Sequence, residues 1–388
     1  MGRSTRVMAI AAALMLAVAS FEVGVAPEAA DAATPVPTVP TLASRGGHTC
    51  AVVTGGAVSC WGLNSNGQLG DSTSQNRITP VVALNLSGAQ TVAAGDNHTC
   101  AVVGAGTVSC WGQNTYGQLG DGSNTSRSTF VEVQGITNAI WVSAGNTFSC
   151  AVLSTGAAAC WGGNATGQLG NNETDPSNTP VAVTSMSTAV AIASGSRSSC
   201  ATLNDGTVAC WGDNSSQQLG DGTSTNRRVP VAVSGLTGAR VATVGDSHAC
   251  VVLLSGVMKC WGENINGKLG NGTTTNAATP VTVTAITTGL IPSASDQNSC
   301  VRLTDNTIRC WGQNTVGQVG DGTTTNRLIP TNVLGFQTVA GGFTGITPVR
   351  LVDTRGANQG IVCGSGTLQV AGVTGSGVPQ SAASVALN

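Results

Sequence analysis

Charged side chains are scarce in this 388-residue chain. They make up 9% of the residues, and the formal net charge is -2. Such a composition offers no basic face for phosphates, so we expect no nucleic-acid partner. The composition also argues against disorder, because 41% of the residues are apolar and they alternate with polar ones.

Long apolar runs are also missing. The longest lies near the amino terminus, follows Arg3 and Arg6, and extends from Val7 to Ala19. A bilayer span needs roughly twenty apolar residues, which favours a secretory signal peptide over a membrane anchor. We assign residues 1–33 to this signal and 34–44 to a Pro-rich leader. The predicted mature chain has no transmembrane segment and is secreted or associated with the cell envelope.

Motifs for catalysis, nucleotide binding and metal binding are absent. The sequence contains no GxSxG, HExxH, P-loop or dinucleotide-binding fingerprint. The segment GDGTTTNR at 320–327 lacks the spaced acidic ligands of a calcium loop. We therefore predict no catalytic residue, no bound metal and no cofactor, and a protein that is not an enzyme.

Cysteine, by contrast, is abundant and regularly placed. Twelve of the thirteen cysteines form pairs that recur every fifty residues, and the second of each pair begins the phrase Cys-Trp-Gly-x-Asn. The pairs are Cys50 and Cys60, Cys100 and Cys110, Cys150 and Cys160, Cys200 and Cys210, Cys250 and Cys260, and Cys300 and Cys310. In an exported chain these cysteines indicate an oxidising compartment, and the fixed period indicates a repeat architecture.

The repeat unit contains four short β-prone runs. In the second repeat they are 90–95, 98–103, 107–111 and 130–133, with a Gly-rich turn at 104–106. Four strands in tandem every fifty residues predict an all-β propeller of six four-stranded blades.

The turn at residue 105 places Cys100 opposite Cys110 on adjacent antiparallel strands. Opposed Cα atoms lie about 4.5–5.5 Å apart, which a disulfide accepts. We predict one disulfide in each blade between the two cysteines of each pair. Zinc binding is the rejected alternative, because C-x9-C is not a zinc-ligand spacing.

Six tryptophans follow the second cysteines, and we interpret them as packing between blades rather than as ligand-stacking platforms. They are Trp61, Trp111, Trp161, Trp211, Trp261 and Trp311. His48, His98 and His248 share one repeat position in different blades. That arrangement favours a structural hydrogen-bonding role over catalysis.

An Asp is followed six residues later by an Arg in four of the loops after the Cys-Trp-Gly motif. The pairs are Asp71 and Arg77, Asp121 and Arg127, Asp221 and Arg227, and Asp321 and Arg327. The third and fifth repeats lose both partners together, with Asn171 and Ser177 in one and Asn271 and Ala277 in the other. We interpret each pair as an ion pair within its rim loop, and the alternative is a ring of arginines offered to an acidic partner.

The repeated string HTCAV…G.V.CWG.N..GQLGDGT resembles the regulator of chromosome condensation repeat across about residues 45–342. The resemblance implies a β-propeller. The founding member is a seven-bladed exchange factor for a small GTPase, but the insertions this activity needs are absent here, so exchange activity is not expected. The family also includes secreted bacterial propellers, among them one that binds a protein partner through rim loops.

Six full repeats are present rather than seven, and the first lacks a recognisable leading strand before His48. Residues 337–341 resemble that strand, so we expect them to complete the first blade and close the ring. A degenerate seventh blade in 343–388 is the alternative.

Residues 343–388 differ from the repeats. Their string Pro348-Val349-Arg350-Leu351-Val352-Asp353-Thr354-Arg355 resembles a P-x-R-L-x-D-T-R module of exported actinobacterial proteins. We expect a partial C-terminal β module that continues beyond residue 388. Cys363 is the odd cysteine, either unpaired or bonded to a partner in that continuation.

The sequence thus predicts a non-enzymatic scaffold that binds an extracellular protein or glycan through rim loops, and a monomer. The candidate contacts are the variable residues after each Cys-Trp-Gly: Leu63, Gln113, Gly163, Asp213, Glu263 and Gln313. Unselected drift at exposed positions explains the same variation. The alternatives are a carbohydrate-binding lectin or adhesin, a structural envelope module, and, less favoured because no paired carboxylates occupy a fixed inward position, a propeller hydrolase.

Overall fold

The computed structural model describes residues 42–336. The predicted signal peptide, the leader up to residue 41, the proposed closing strand and the C-terminal module with Cys363 lie outside this range. The described chain forms six four-stranded antiparallel sheets that succeed one another around a ring, which confirms the predicted propeller of six blades. The only helical turn within 42–336 is a 3-10 turn at Ile265–Gly267.

The first three blades take their strands in chain order, from the channel outward. Blade one contains β1 Leu42–Arg45, β2 His48–Val52, β3 Val58–Gly62 and β4 Arg77–Val82. Blade two contains β5 Ala89–Ala94, β6 His98–Val103, β7 Thr107–Gly112 and β8 Arg127–Glu132. Blade three contains β9 Ala139–Ala144, β10 Phe148–Leu153, β11 Ala158–Gly162 and β12 Ser177–Ala182.

The other three blades repeat this order. Blade four contains β13 Ala189–Ser194, β14 Ser198–Leu203, β15 Val208–Gly212 and β16 Arg227–Ala232. Blade five contains β17 Ala239–Val244, β18 His248–Leu253, β19 Met258–Gly262 and β20 Ala277–Thr282. Blade six contains β21 Gly289–Ala294, β22 Asn298–Leu303, β23 Ile308–Gly312 and β24 Arg327–Asn332.

The prediction that the first repeat lacks its leading strand is wrong. Leu42–Arg45 forms β1 and pairs with β2 in antiparallel register, with Ala43 opposite Cys50 and Arg45 opposite His48. The strand begins inside the segment assigned to the leader, and blade one therefore needs no strand from residues 337–341. Its sequence Leu-Ala-Ser-Arg contains no β-branched residue, so pairing with β2 rather than propensity makes it a strand.

The predicted disulfides are present in all six blades. In each, the two cysteines face each other across the hairpin, with Cα atoms 4.0–4.1 Å apart, slightly closer than the expected spacing. The six bonds join Cys50 with Cys60, Cys100 with Cys110, Cys150 with Cys160, Cys200 with Cys210, Cys250 with Cys260, and Cys300 with Cys310. Each bond therefore closes a loop within a single blade and joins no two blades.

The glycine of Cys-Trp-Gly makes the end of the third strand possible. At Gly112 the φ angle is +107°, and a Cβ would lie 2.5 Å from the Asn97 carbonyl oxygen. Only glycine fits this left-handed close approach.

Tryptophan packing joins neighbouring blades. Trp111 of blade two is fully buried, and its Nε1 donates to the Gln68 carbonyl of blade one at 2.8 Å. Trp161, Trp211, Trp261 and Trp311 repeat this contact with the preceding blade at 2.9 Å. Buried aromatic area with a satisfied N–H is a strong stabilising unit, and here it lies between blades.

Candidate functional site

One end of the ring carries the variable residues that follow each Cys-Trp-Gly. Antiparallel order places the turns between the first and second strands of each blade at the same end as the long loops between the third and fourth strands. We call this end the loop face. Its six long loops occupy 63–76, 113–126, 163–176, 213–226, 263–276 and 313–326.

A buried asparagine organises every long loop. In blade one, Asn64 Nδ2 donates to Asp71 Oδ1 at 3.0 Å, while its Oδ1 accepts from the Leu69 amide at 2.9 Å. Its counterparts make the same two bonds, and they are Asn114, Asn164, Asn214, Asn264 and Asn314. A side chain that satisfies backbone groups across a loop fixes its conformation, so the six loops share one scaffold.

The Asp–Arg pairs lie within single loops. The oxygen–nitrogen distances are 2.7 Å for Asp71–Arg77, 3.5 Å for Asp121–Arg127, 2.7 Å for Asp221–Arg227 and 2.5 Å for Asp321–Arg327. The carboxylates are nearly covered, whereas the arginines are about one-third or more exposed. In repeats three and five, Asn171 and Asn271 take the place of the aspartate and accept from the buried asparagine at 3.2 Å.

These carboxylates are held in the ionised form. Burial alone would raise the pKa of Asp321, but hydrogen bonds from Thr323, Arg327 and Asn314 outweigh burial and lower the pKa to about 2. The pKa values of Asp71, Asp121 and Asp221 are lowered in the same way against the effect of burial. An acceptor of several hydrogen bonds stays charged because each bond favours the carboxylate.

The predicted contact residues are the first residues of the six long loops and are less accessible than expected. Gly163 is buried, and the other five are half-buried. Asp213 accepts from Gln218 at 3.2 Å and Glu263 accepts from Lys268 at 2.5 Å. Side chains already bonded inside the fold are less available to a partner.

The exposed side chains of these loops come two and three positions later. Tyr116 is 49% exposed, Ile265 54% and Val316 83%. Their counterparts in other repeats are Ser, Thr, Asn or Ala. The sequence could have revealed these exposed residues, because each is an apolar residue at a loop position that is polar or small in the other repeats. They lie two or three positions after the predicted contact residues.

A charged cluster occupies the mouth of the channel, and the repeat pattern did not reveal it. Arg45 extends from β1 and bonds Asp96 of blade two at 2.5 Å and Asp246 of blade five at 2.7 Å. Asp296 of blade six shares their repeat position, just before the second strand. The expectation that no carboxylates recur at a fixed inward position is therefore wrong for three blades, and the spacing of Asp96, Asp246 and Asp296 was the available signal.

The cluster brings opposite charges together. Burial raises the pKa of Asp246, Arg45 opposes that shift, and the nearby Asp296 carboxylate adds to it. The cavity behind the mouth is about 1310 Å³ and is lined by inner-strand residues such as Trp141. No group of three or more residues that could hold a metal ion occurs within 42–336.

Blade five has a buried lysine where other repeats have glutamine. Lys268 is 0% exposed and donates to Glu263, to Ser247 Oγ at 2.8 Å and to the Asp296 carbonyl at 3.1 Å. Three acceptors satisfy the three ammonium protons, so the charge is compensated.

Among residues 42–336 we find no helix whose length and hydropathy would let it span a bilayer.

The three histidines connect neighbouring blades. The Nε2 atoms of His48, His98 and His248 lie 2.7–2.9 Å from the hydroxyls of Thr99, Ser149 and Ser299 in the next blade. Each hydroxyl donates its proton to the carbonyl of residue 68, 118 or 268, so Nε2–H must be the donor to it. Burial lowers the pKa of His48 to about 4 and of His98 and His248 to about 3.

Comparison with known proteins agrees with this architecture. Two families described as "Regulator of chromosome condensation (RCC1) repeat" match the chain, one at 55–102, 105–152, 156–202 and 205–252, the other at 90–118, 189–218 and 293–318. No curated protein sequence matches significantly.

Solved structures share the fold at low identity. Human WBSCR16 is 22% identical with a TM-score of 0.68, and the match covers 75% of this chain and 80% of that one. Yeast RCC1 (Prp20), crystallised with Kap60, is 20% identical with a TM-score of 0.64, covering 78% and 75%. Prp20p from Saccharomyces cerevisiae, described with binding properties to Gsp1p and histones, is 21% identical with a TM-score of 0.61, covering 77% and 76%.

Proposed function

The chain belongs to the regulator of chromosome condensation (RCC1) repeat family, and on that premise we propose that it is an exported, non-enzymatic propeller that binds a protein partner through its loop face. One observation carries the proposal. Six loops share the asparagine-centred scaffold yet present different exposed side chains, among them Tyr116 and Ile265. Loops fixed before binding lose little entropy on association, which favours affinity.

The six disulfides support export. Disulfides persist in oxidising compartments, and each of these lies inside one blade where its two cysteines meet without distortion of the ladder. We infer that the protein works outside the cytoplasm, free or attached to the envelope.

The chemistry of the channel mouth supports binding rather than catalysis. Asp96 and Asp246 both contact Arg45, and Lys268 is engaged by Glu263. A general acid–base pair needs groups that reach a substrate, and these groups are bonded to one another instead.

Carbohydrate binding at the channel mouth is the second candidate. The observation that favours it is the presence of Asp246, Asp296 and the half-buried Trp141 around one cavity. Carboxylates with an aromatic face suit a sugar, because they bond its hydroxyls while the ring covers its apolar side.

The test is a pull-down from culture medium and envelope extract with the oxidised mature chain as bait, analysed by mass spectrometry beside a glycan array. Ile265→Asp combined with Tyr116→Asp should abolish capture of the protein partner. Leu254→Asp is the matched control, because Leu254 is 46% exposed in a hairpin turn at the opposite end of blade five.

Three results would contradict the proposal. Equal capture by the loop-face variant and the control would remove the loop face as the binding surface. Glycan binding without a protein partner would favour the second candidate. Accelerated nucleotide release from a small GTPase would show that the protein is not a mere scaffold.

A further inference from the structure

The channel mouth at the loop face carries more negative than positive charge. Three carboxylates and a single guanidinium line the cavity at this end, and they belong to Asp96, Asp246, Asp296 and Arg45. Another cation close by is Lys268, but it is fully buried and paired with Glu263. Arg45 therefore compensates only part of the negative charge.

Arg45 shows which acceptors the mouth offers to a guanidinium. Its Nε donates to Asp96 Oδ1 at 2.5 Å, and its Nη2 donates to Asp246 Oδ1 at 2.7 Å. Its Nη1 donates to the Ser194 carbonyl oxygen at 3.4 Å. The second carboxylate oxygen of Asp96 and of Asp246 bonds no residue within 42–336. Acceptors from three blades thus converge on the mouth, and two of the carboxylates still have a free oxygen for a further donor.

Asp296 has no cationic partner within 42–336. Its side chain is exposed, and its Oδ1 accepts from the Gln297 side-chain amide at 2.9 Å. Burial raises the pKa of the Asp246 carboxyl, Arg45 opposes that shift, and the Asp296 charge raises it further, so the two carboxylates interact. Two carboxylates that repel each other favour the approach of an added cation.

A buried hydroxyl beside these carboxylates also lacks a partner. Ser194 ends the inner strand of blade four, lines the cavity and is only 7% exposed. Its Oγ is buried and bonds no other described residue. Because buried polar atoms are nearly always hydrogen-bonded, an unbonded hydroxyl in a cavity wall points to a partner that enters the cavity.

We propose that the channel mouth binds a basic side chain, a lysine or an arginine, of the protein partner. Asp246 and Asp296 pair with its charge, and Ser194 Oγ accepts one of its N–H groups. An ammonium or a guanidinium carries several donors and no acceptor, which suits a site made of acceptors. The cation is organic, since no group of three or more residues able to hold a metal ion occurs within 42–336. The inference rests on the proposed function, because the mouth opens onto the loop face.

The opposite end of the channel has the opposite charge. Arg240 is the second residue of β17, and Arg302 lies opposite Ile291 near the start of β21. Both arginines line the cavity, and both lie away from the loop face because the inner strands end there. Like charges repel, so a basic side chain that enters from the loop face keeps its charge at the mouth, beside the carboxylates.

A titration of the oxidised mature chain, residues 34–388, with Nα-acetyl-arginine amide tests the inference. The chain is labelled with nitrogen-15, and amide signals are followed by NMR. The signals of Ser194, Asp246 and Asp296 should shift in a saturable way. The citrulline analogue of the probe has the same shape without the charge, so it should leave these signals unchanged.

Three variants make the test specific. Asp296→Asn should weaken binding of the arginine probe about fivefold, the effect of losing one partly exposed ion pair. Arg45→Met should strengthen binding about fivefold, because it leaves Asp96 and Asp246 to the probe. Asp205→Asn is the matched control and should change nothing, since Asp205 is exposed in a hairpin turn at the opposite end of blade four.

The partner itself provides a second measurement. An Asp296→Asn bait should capture less of the protein partner than the Asp205→Asn bait in the pull-down described above. Equal capture by the two baits would overturn the inference, because the cation at the mouth would then not come from the partner.

Other outcomes would also overturn the inference. Equal shifts with the arginine and citrulline probes, or no shift with either, would mean that charge does not direct binding at the mouth. Shifts with glucose alone would assign the mouth to the second candidate. The proposed function survives these outcomes if capture still depends on Tyr116 and Ile265, and it fails without that dependence whatever the probes show.

Discussion

Five interfaces between consecutive blades and the interface between blade six and blade one, which we call the seam, are made from nearly identical sequences, yet they differ in burial within 42–336. Trp211, between blades three and four, is fully buried and donates to Gln168, whereas Trp61 at the seam is half-buried and has no corresponding carbonyl within 42–336. In a repeat protein each unit contacts only its neighbours, so an end unit lacks half of its interface. The comparison shows that the tryptophan of the Cys-Trp-Gly motif stabilises the interface between two blades. Its burial and its hydrogen bond depend on the loop of the blade that lies beside it.

The largest expected effect contrasts the two tryptophans. Trp211→Ala should lower the free energy of unfolding by about 3–5 kcal/mol, because it leaves a cavity in a closed interface between two blades. Trp61→Ala should cost less, about 2 kcal/mol, since its side chain is only half-buried and donates to no neighbouring blade within 42–336. Guanidinium unfolding followed by circular dichroism measures the free energy of unfolding of both variants. Equal losses would contradict the inference that the two tryptophans have different environments.

The disulfides should not distinguish the seam from the other interfaces, because each disulfide lies within one blade. Replacing Cys200 and Cys210 by Ser should cost up to about 3 kcal/mol, the value for closing a short loop. Replacing Cys300 and Cys310 should cost the same, as both pairs are ten residues apart. Chemical unfolding of the two double variants decides this, and a much smaller loss in blade six would show that the seam weakens the blade itself.

Lowering the pH should reduce the free energy of unfolding through the histidines buried between blades. His98 has a pKa of about 3 in the folded protein and about 6.5 when unfolded, so it is neutral in the fold. Its contribution to stability is complete above pH 6.5 and is lost as the pH falls towards 3, because the unfolded chain takes up the proton first. Between pH 7 and pH 5 we expect a loss of about 2 kcal/mol from this residue.

The variant His98→Phe tests this sign, since Phe148 fills the same position in blade three. Unfolding at pH 7 and pH 5 should show a smaller pH-dependent loss in the variant by about 2 kcal/mol. An unchanged pH dependence would mean that the buried histidines do not control acid stability.

The smallest effect concerns the rim loops. Asp221→Asn should lower the free energy of unfolding by about 0–1 kcal/mol, because the Arg227 partner is about one-third exposed. The local effect should be larger. The Thr223 amide, which bonds Asp221 at 2.9 Å, should exchange faster, whereas the equivalent loop around Asn171 serves as a reference that already lacks the pair. Unchanged exchange at Thr223 would contradict a role for the pair in shaping the loop.

Much of the fold was predictable because the repeat is strict. The cysteine period indicated the blade number, and the hairpin turn around residue 105 determined which cysteines meet, as the Cys100–Cys110 bond confirms. The Asp–Arg pairs were readable because both partners disappear together in two repeats. All of these features are local, and local spacing is what a sequence displays directly.

The candidate site was predicted less well. The residues after Cys-Trp-Gly varied as a contact surface would, but Glu263 and Asp213 are engaged inside the fold. Arg45 was assigned no role, because its partners Asp96 and Asp246 are 51 and 201 residues away. No pattern within one repeat reveals a bond across the channel.

The sequence by itself determined the blade, its disulfide and its loop scaffold, since all three arise from residues within one fifty-residue unit. Tertiary structure decided that Leu42–Arg45 completes blade one, that Arg45 of blade one reaches blades two, four and five at the channel mouth, and that Trp61 differs from its five counterparts. The physical reason is that burial and charge compensation depend on which blade lies alongside. Identical motifs therefore acquire different environments only when the ring assembles.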